Sequence, residues 1–257
     1  MSAPDCVEPE VLIVTPYHRE PRAVIERCIA SVTAQTVPTA HLLVADGYPA
    51  DWIGGFGVRH IALDRCYRNF GNTPRAIGLM AGVGEGYRAI GLLDADNWLD
   101  PDHVAACLAC AGQFPLADYI VARRRFRRID GSIMAMADEP IDQHVDTSCF
   151  FFLPGSFAAL PLWGTIPSPL APICDRVFYA AIRGRGMVGA CTERVTVNYQ
   201  VTVDLFYQRL GEPVPEGCKP GVDIAAIARW IDGLSPAERR LAERHAGVRL
   251  HSDGPPG

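Results

Sequence analysis

Two carboxylates spaced i and i+2, Asp94 and Asp96, follow the apolar run Ile90-Gly91-Leu92-Leu93. If a strand persists through them, both side chains leave the same face. Like charges that close repel unless a cation is shared between them or one group is protonated. Ligand sets made only of oxygen favour a hard divalent ion, Mg²⁺ or Mn²⁺, which commonly binds through one or two carboxylates together with substrate phosphates. The plainer alternative is a pair of aspartates that solubilises a strand end and caps the next helix. Other residues able to do chemistry are Thr15, Pro16 and Tyr17 after an early apolar run, Asp46 before Gly47, Arg75 beside Pro74, and Asp175 after a long uncharged stretch.

These side chains must be held by regular elements. Residues 11–15 read as a strand ended by Pro16, and 21–34 have the apolar spacing of a helix. Strands are expected at 41–45, 58–63 and 87–93, and a helix at 72–83 with Pro74 in its first turn. Strand and helix alternate, which points to an α/β fold with a mostly parallel central sheet, flanking helices and right-handed crossovers. Ligands of such sheets gather beyond the carboxyl ends of the strands, where Thr15, Asp46 and Asp94 would converge. The second half is less regular. It reads as a helix at 101–114, a strand at 117–129 with a hairpin partner at 131–136, strands at 145–153 and 195–201, and a helix at 175–184. Amphipathic helices follow at 222–231 and 236–246, the last opened by the capping box Ser235…Glu238. Residues 1–104 thus form a Rossmann-like half and 105–210 a second, less regular half of one domain. A helical extension covers 211–250, and 251–257 is expected to be a disordered tail.

The chain has 257 residues and a net charge of −5, enough length for a substantial core and no electrostatic case for a nucleic-acid partner. Its nine cysteines form no repeating pairs, and Cys107-x-x-Cys110 lacks a second pair or a nearby histidine to complete a zinc set. Free thiols in a reducing, cytoplasmic protein are expected. The first ten residues lack the basic and apolar regions of a secretory signal. Residues 147–174 carry no charge, but five prolines there argue against a transmembrane helix.

Five blocks in register over roughly residues 10–104 resemble the family 2 glycosyltransferases. They are the strand ending Thr15-Pro16-Tyr17-His18-Arg19, the helix ending Ser31-Val32-Thr33-Ala34-Gln35-Thr36, Asp46-Gly47, Gly71-Asn72-Thr73-Pro74-Arg75-Ala76-Ile77-Gly78, and Leu93-Asp94-Ala95-Asp96-Asn97. The resemblance implies a glycosyltransferase A-type fold, a nucleotide-diphosphate sugar donor with a UDP-sugar favoured, Mn²⁺ or Mg²⁺, and inversion at the anomeric carbon. It places Thr15, Pro16 and Tyr17 at the nucleobase and ribose, Asp46 at the base, Arg75 at the donor diphosphate, Asp94 near ribose and sugar, and Asp96 on the metal. Where the family often has two acids at the base, this chain has Ala45 and Asp46. The late histidine that often completes the metal set is absent, leaving Asp204 or water.

The acceptor hydroxyl needs a base on the opposite face of the sugar. Asp175 matches the acid that opens a helix in the family, although Cys174 replaces its usual acidic neighbour; a plain helix cap is the alternative. Asp146 is the second candidate. Arg123–Arg125, Arg127 and Arg128 are expected to form a solvated strand end, with contact to an anionic ligand as the alternative. Trp163 and Phe150–Phe152 could line an acceptor pocket or pack in the core. The acceptor is unnamed by the sequence, and association with a membrane surface is open. The C-terminal helices either pack on the core or form a homodimer contact. A sugar-phosphate nucleotidyltransferase is disfavoured because no glycine-rich loop follows the first strand. A non-catalytic nucleotide-sugar binding module is the remaining alternative.

Overall fold

The computed structural model describes residues 9–251. The first half contains β1 (Val11–Tyr17), α1 (Arg22–Thr33), β2 (Thr39–Ala45), β3 (Arg59–Ala62), α2 (Asn72–Gly84), β4 (Ala89–Leu92) and β5 (Trp98–Leu99). After α3 (His103–Gln113) come β6 (Tyr119–Arg127), β7 (Phe150–Phe152), α4 (Leu162–Thr165), α5 (Cys174–Gly184) and β8 (Gly189–Gln200). The chain closes with α6 (Asp204–Arg209), α7 (Ile224–Asp232) and α8 (Pro236–Ala246). The eight strands form one sheet in the order β3-β2-β1-β4-β7-β6-β8-β5. The β3-β2-β1-β4 run and the β6–β8 pair are parallel, whereas β7 is antiparallel to both its neighbours and β5 is antiparallel to β8. The sheet is continuous across the seam expected near residue 104.

Apolar runs on the inner strands give that sheet its core. Leu12, Ile13, Leu42, Ile90, Ile120 and Phe151 are all fully buried, as expected for strands covered on both faces. Helix α2 lies close on β1 because its inner face carries glycine. A Cβ at Gly78 would stand 2.5 Å from a methyl of Val14, and one at Gly82 would stand 2.7 Å from a methyl of Leu12.

Pro16 does not end β1. The strand continues to Tyr17, with Pro16 opposite Val44 and Tyr17 opposite Ala45 of β2. Tyr17 and Val14 use their carbonyls on opposite neighbours, towards Asp46 after β2 and Leu93 after β4. By alternation, the N–H that proline lacks points to the side where β4 has already ended.

The second half departs further from the sequence pattern. Only an isolated bridge, Arg127 to Ile133, survives of the expected hairpin. Residues 145–149 enter β7 through a 3₁₀ turn, Thr147–Cys149, capped by Asp146, whose carboxylate accepts from Ser148 N–H. The uncharged stretch becomes β7, short helical turns and α4, and no helix among the described residues is long and apolar enough to cross a membrane. Trp163 and Phe150–Phe152 are core residues at 0–1 % exposure, so none of them lines an acceptor pocket. Helices α7 and α8 join the main core through Ile227, Ile231, Ala242 and Ala246. The capping box at Ser235 and Glu238 is present. Cys107 and Cys110 are buried free thiols, as expected. The expected tail lies outside the described residues apart from His251.

Candidate active site

Strand β4 stops at Leu92, two residues short of the first aspartate. Asp94 and Asp96 therefore lie in a turn closed by Asn97 N–H on the Asp94 carbonyl, rather than on a strand face. The reason is a competing set of long-range hydrogen bonds. Ser148 Oγ accepts from Asp94 N–H at 3.1 Å and from Asn97 Nδ2 at 2.9 Å. Asn97 Oδ1 accepts from Gln200 N–H at the end of β8, and Arg27 donates to the Asp96 carbonyl at 2.7 Å. The turn is braced from the 3₁₀ turn before β7, from β8 and from α1 together.

Arg75, at 3 % exposure, donates to Asp94 Oδ1 at 2.8 Å and to Asn72 Oδ1 at 2.9 Å, with its guanidinium 4.8 Å from the Trp163 ring centroid. Burial opposes its charge, but Asp94 outweighs burial and holds the guanidinium charged. Three residues just before α2, Arg68, Phe70 and Gly71, have φ of 52°, 56° and 77°. Left-handed backbone at non-glycine residues is strained and tends to gather at functional sites. A Cβ at Gly71 would press on Pro16 at 3.3 Å and stand 3.6 Å from Arg75 Nη2, and its left-handed backbone favours glycine.

Asp96 is half-buried, and no hydrogen bond reaches its carboxylate among the described residues. Burial first, then the charge of Asp94, pushes its pKa up to about 7. Lys219, the only lysine in the chain, acts weakly in the other direction. An all-oxygen pair with one carboxylate free and ionisation opposed matches what a hard divalent ion relieves. Asp96 and Asp94 thus fit such an ion. Asp204 does not offer itself as the missing ligand, because its oxygens accept from Gly221 N–H at 2.9 Å and Gln208 Nε2 at 3.4 Å.

Asp175 stands in the first turn of α5 but is not its cap; Ile173 occupies that position. Its Oδ2 is 2.7 Å from His144 Nε2, and Oδ1 accepts from Arg176 N–H. The other imidazole nitrogen meets Glu139. Burial would raise the Asp175 pKa, but the His144 hydrogen bond overrides it and holds the carboxyl below its usual range. In return burial would lower the His144 pKa, and Asp175 overrides it upward. Asp146 is buried, ion-paired to Arg124 Nη1 at 2.8 Å, and feels the charges of both Asp94 and Asp175. Asp94, Asp96, Arg75, Asp146 and Asp175 are therefore one electrostatic cluster. His144 escaped the sequence reading, although it lies in a segment unusually dense in acids, Asp138 to Asp146.

The ion pairing predicts a pH signature. His144 has its folded pKa raised, so its contribution is complete below the unfolded value, about 6.5, and is lost as pH rises through the folded value. Asp175 has its folded pKa lowered, so its contribution is present above about 3.9 and is lost as pH falls through the folded value. His41 and His103, held neutral by burial with pKa values of about 3 and about 4, act oppositely and lose stability as pH falls through their unfolded value. The difference in unfolding free energy between wild type and His144→Gln reports His144 with its two carboxylate partners, Asp175 and Glu139. It is expected to be largest between about pH 4 and 6 and to shrink at higher pH. A difference flat across that range would mean a neutral imidazole.

The nucleobase side is arranged differently from expectation. Consecutive strand residues point to opposite faces. Thr15 is fully buried toward α1, with its hydroxyl 2.9 Å from His41 Nε2. Tyr17 leaves by the same face, bonded to His60 Nε2 at 2.8 Å and accepting from Ala50 N–H at 2.9 Å. Only Pro16 faces α2, towards Gly71. Asp46, 5 % exposed, accepts from Tyr67 N–H at 2.8 Å. The structure brings Pro16, Arg75 and Asp94 together beside α2, with Asp96 two residues on in the same turn beside Arg27 of α1, while Thr15 is a core contact.

The arginine cluster is only in part the expected solvated strand end, because Arg124 is buried and the others are half-buried. Arg124 is 5 % exposed and pairs with Asp138 and Asp146, Arg125 with Asp100, and Arg128 with Glu212. Arg124 is taken up within the protein, whereas Arg125 and Arg128 meet their partners at partly exposed positions, a distinction that alternation alone does not make.

A single α/β domain with this curled eight-stranded sheet has a glycosyltransferase-like fold. Among solved structures, S. aureus TarS residues 1–349 in complex with UDP matches with a TM-score of 0.58 and 12 % identity, over 91 % of this chain and 70 % of that one. The same fragment with UDP-GlcNAc matches with a TM-score of 0.56 and 10 % identity, over 91 % and 71 %. A longer S. aureus TarS structure matches with a TM-score of 0.57 and 12 % identity, and this chain covers 42 % of it. At such identities the likeness is one of fold. No protein-family model and no curated protein matches the chain.

Proposed function

We propose that the chain is an inverting glycosyltransferase of the hexosyl-transferring kind, moving a sugar from a nucleoside-diphosphate donor, preferably a UDP-sugar, to an acceptor hydroxyl. The observation that carries this reading is the meeting of the braced Asp94–Asp96 turn, the clamped Arg75 and the Asp175–His144 pair in one cluster on a glycosyltransferase-like sheet. The UDP and UDP-GlcNAc complexes of the TarS neighbours favour uridine.

In this reading Asp96, with Asp94, holds Mn²⁺ or Mg²⁺, which when bound neutralises the leaving diphosphate. Arg75 adds fixed positive charge beside Asp94 and orients that carboxylate. Asp175, kept ionised by His144, takes the proton of the acceptor hydroxyl as its oxygen attacks the anomeric carbon and the bond to the diphosphate oxygen breaks on the far side. Pro16 walls the donor side. An apolar cavity of about 320 Å³, lined by Phe70, Pro169, Pro172, Val222 and Ile227, opens between the turn before α2 and the loop leading into α5. It offers an aromatic face for an acceptor.

The test is thermal unfolding with UDP, GDP, dTDP and CDP, each with and without Mn²⁺, for wild type and Asp96→Asn. Wild type is expected to gain melting temperature with dose for one nucleotide, dependent on Mn²⁺. Asp96→Asn is expected to lose that response yet melt higher without ligand, because its amide carries no charge for Asp94 and burial to oppose. No nucleotide response in wild type would overturn the reading.

A further inference from the structure

A second group of potential ligands lies outside the Asp94–Asp96 turn, where the segments following β1, β2 and β3 meet. His18, Asp46 and Cys66 each offer one ligand atom, all within 4.8 Å of one another. Cys66 Sγ is 3.7 Å from His18 Nδ1 and 3.7 Å from Asp46 Oδ2. Tetrahedral zinc with ordinary bonds to sulfur, nitrogen and oxygen separates its ligand atoms by about 3.5 Å. Two of the three separations are close to that spacing and the third lies within 4.8 Å, so a small closure would seat one ion, with a fourth position left to water.

The surroundings hold each ligand in place. Tyr67 N–H donates to Asp46 Oδ1 at 2.8 Å, leaving Oδ2 turned to the thiol. The Tyr48 ring stands edge-on to the His18 imidazole with centroids 4.7 Å apart, and the His18 backbone N–H is held by Glu20. Gly47, at φ 77°, brings the Asp46 backbone so close to the third segment that a Cβ would stand 2.4 Å from Cys66 N. Such outer contacts are what orient metal ligands. His18 and Cys66 are half-buried, so an ion can reach them.

We propose that His18, Asp46 and Cys66 form a site for a zinc-class divalent ion that fastens the three segments together. Imidazole, thiolate and carboxylate in one set select Zn²⁺ or Co²⁺ over Mg²⁺ and Mn²⁺, in contrast to the all-oxygen pair at Asp94 and Asp96. Binding releases the Cys66 thiol proton to solvent as the sulfur–metal bond forms. It also requires His18 in the tautomer protonated at Nε2, because Nδ1, now 3.1 Å from the Asp46 carbonyl, becomes the ligand. The site is separate from the Asp94–Asp96 turn, and it takes Asp46 as a metal ligand in place of the nucleobase contact that the family resemblance implies.

The experiment is titration of the metal-free full chain with Co²⁺, followed by absorption. The expected result is a saturable thiolate-to-cobalt charge-transfer band with the visible bands of tetrahedral cobalt, removed by Zn²⁺ and unaffected by excess Mg²⁺. Cys66→Ser is expected to lose the charge-transfer band while Asp96→Ala keeps it. His18→Gln and Asp46→Asn, which retains the oxygen that accepts from Tyr67, are expected to weaken Co²⁺ binding by about tenfold or more. Circular dichroism checks that each variant is folded, and His18→Gln decides the matter if Cys66→Ser is not. Absence of the band in wild type, its persistence in folded Cys66→Ser, or unchanged affinity in His18→Gln would overturn the site.

Discussion

Asp175→Asn is expected to lower kcat for sugar transfer by on the order of 10²–10⁴-fold, the usual contribution of a positioned base. Nucleotide binding, read as the Mn²⁺-dependent thermal shift, is expected to stay within a factor of a few. The substitution is close to isosteric. An asparagine oxygen still accepts from Arg176 N–H or from protonated His144 Nε2, so the local structure survives. What disappears is the anionic oxygen that accepts a proton. The alternative, a carboxylate that only caps α5, is opposed by Ile173 at the cap position and by the absence of any side-chain cap bond there. If turnover fell by less than about tenfold, the base would have to be sought elsewhere. Asp146 would be the next candidate, its carboxylate ion-paired to Arg124 at 2.8 Å and accepting from Ser148 N–H. Binding without turnover in wild type would favour a non-catalytic nucleotide-sugar module.

Arg124→Met carries the largest expected cost in stability, about 3–5 kcal/mol, because it leaves buried charge uncompensated. The guanidinium is ion-paired to Asp146 at 2.8 Å, donates to Asp138 at 2.9 Å, and sits 4.8 Å and 4.9 Å from the ring centroids of Phe126 and Tyr199. Methionine fills part of the volume but leaves the buried Asp146 carboxylate without its cation, while Asp138 keeps only the longer contact to Arg123 at 3.4 Å. Burial already pushes the Asp146 pKa up to about 6 with the arginine in place. Urea unfolding measures the loss, and Arg124→Met combined with Asp146→Asn is expected to recover part of it, as coupled partners do. A loss below about 1 kcal/mol would class the pair with exposed salt bridges. The two variants separate roles that are adjacent in space, since Asp175→Asn acts on chemistry and Arg124→Met on the scaffold beneath it.

The first half was largely legible. Expected strands and helices fall within a few residues of β1 through α2, because each has its own apolar periodicity and its own stop. The α8 capping box is a purely local device and formed where its spacing requires. The same locality sets the limit of such reading at the site. Asp94 and Asp96 lie where the apolar run ends, but their conformation is set by Ser148 and Gln200, residues distant in sequence that no periodicity connects to them.

By itself, then, the sequence determined the alternating α/β order, the positions of Asp94, Asp96, Arg75 and Asp175, and the absence of a continuous helix in the uncharged stretch. Those depend on neighbours a few residues away. Only the tertiary structure decided that Thr15 and Tyr17 turn toward α1 while Pro16 turns toward α2. It alone paired Arg123 and Arg124 of β6 with Asp138, Arg124 also with Asp146, and Arg125 with Asp100, set His144 against Asp175, and brought His18, Asp46 and Cys66 together. Each of these is a contact between segments that become neighbours only when the sheet adopts its order, and the strength of a buried charge or hydrogen bond depends on that neighbour rather than on the residue itself.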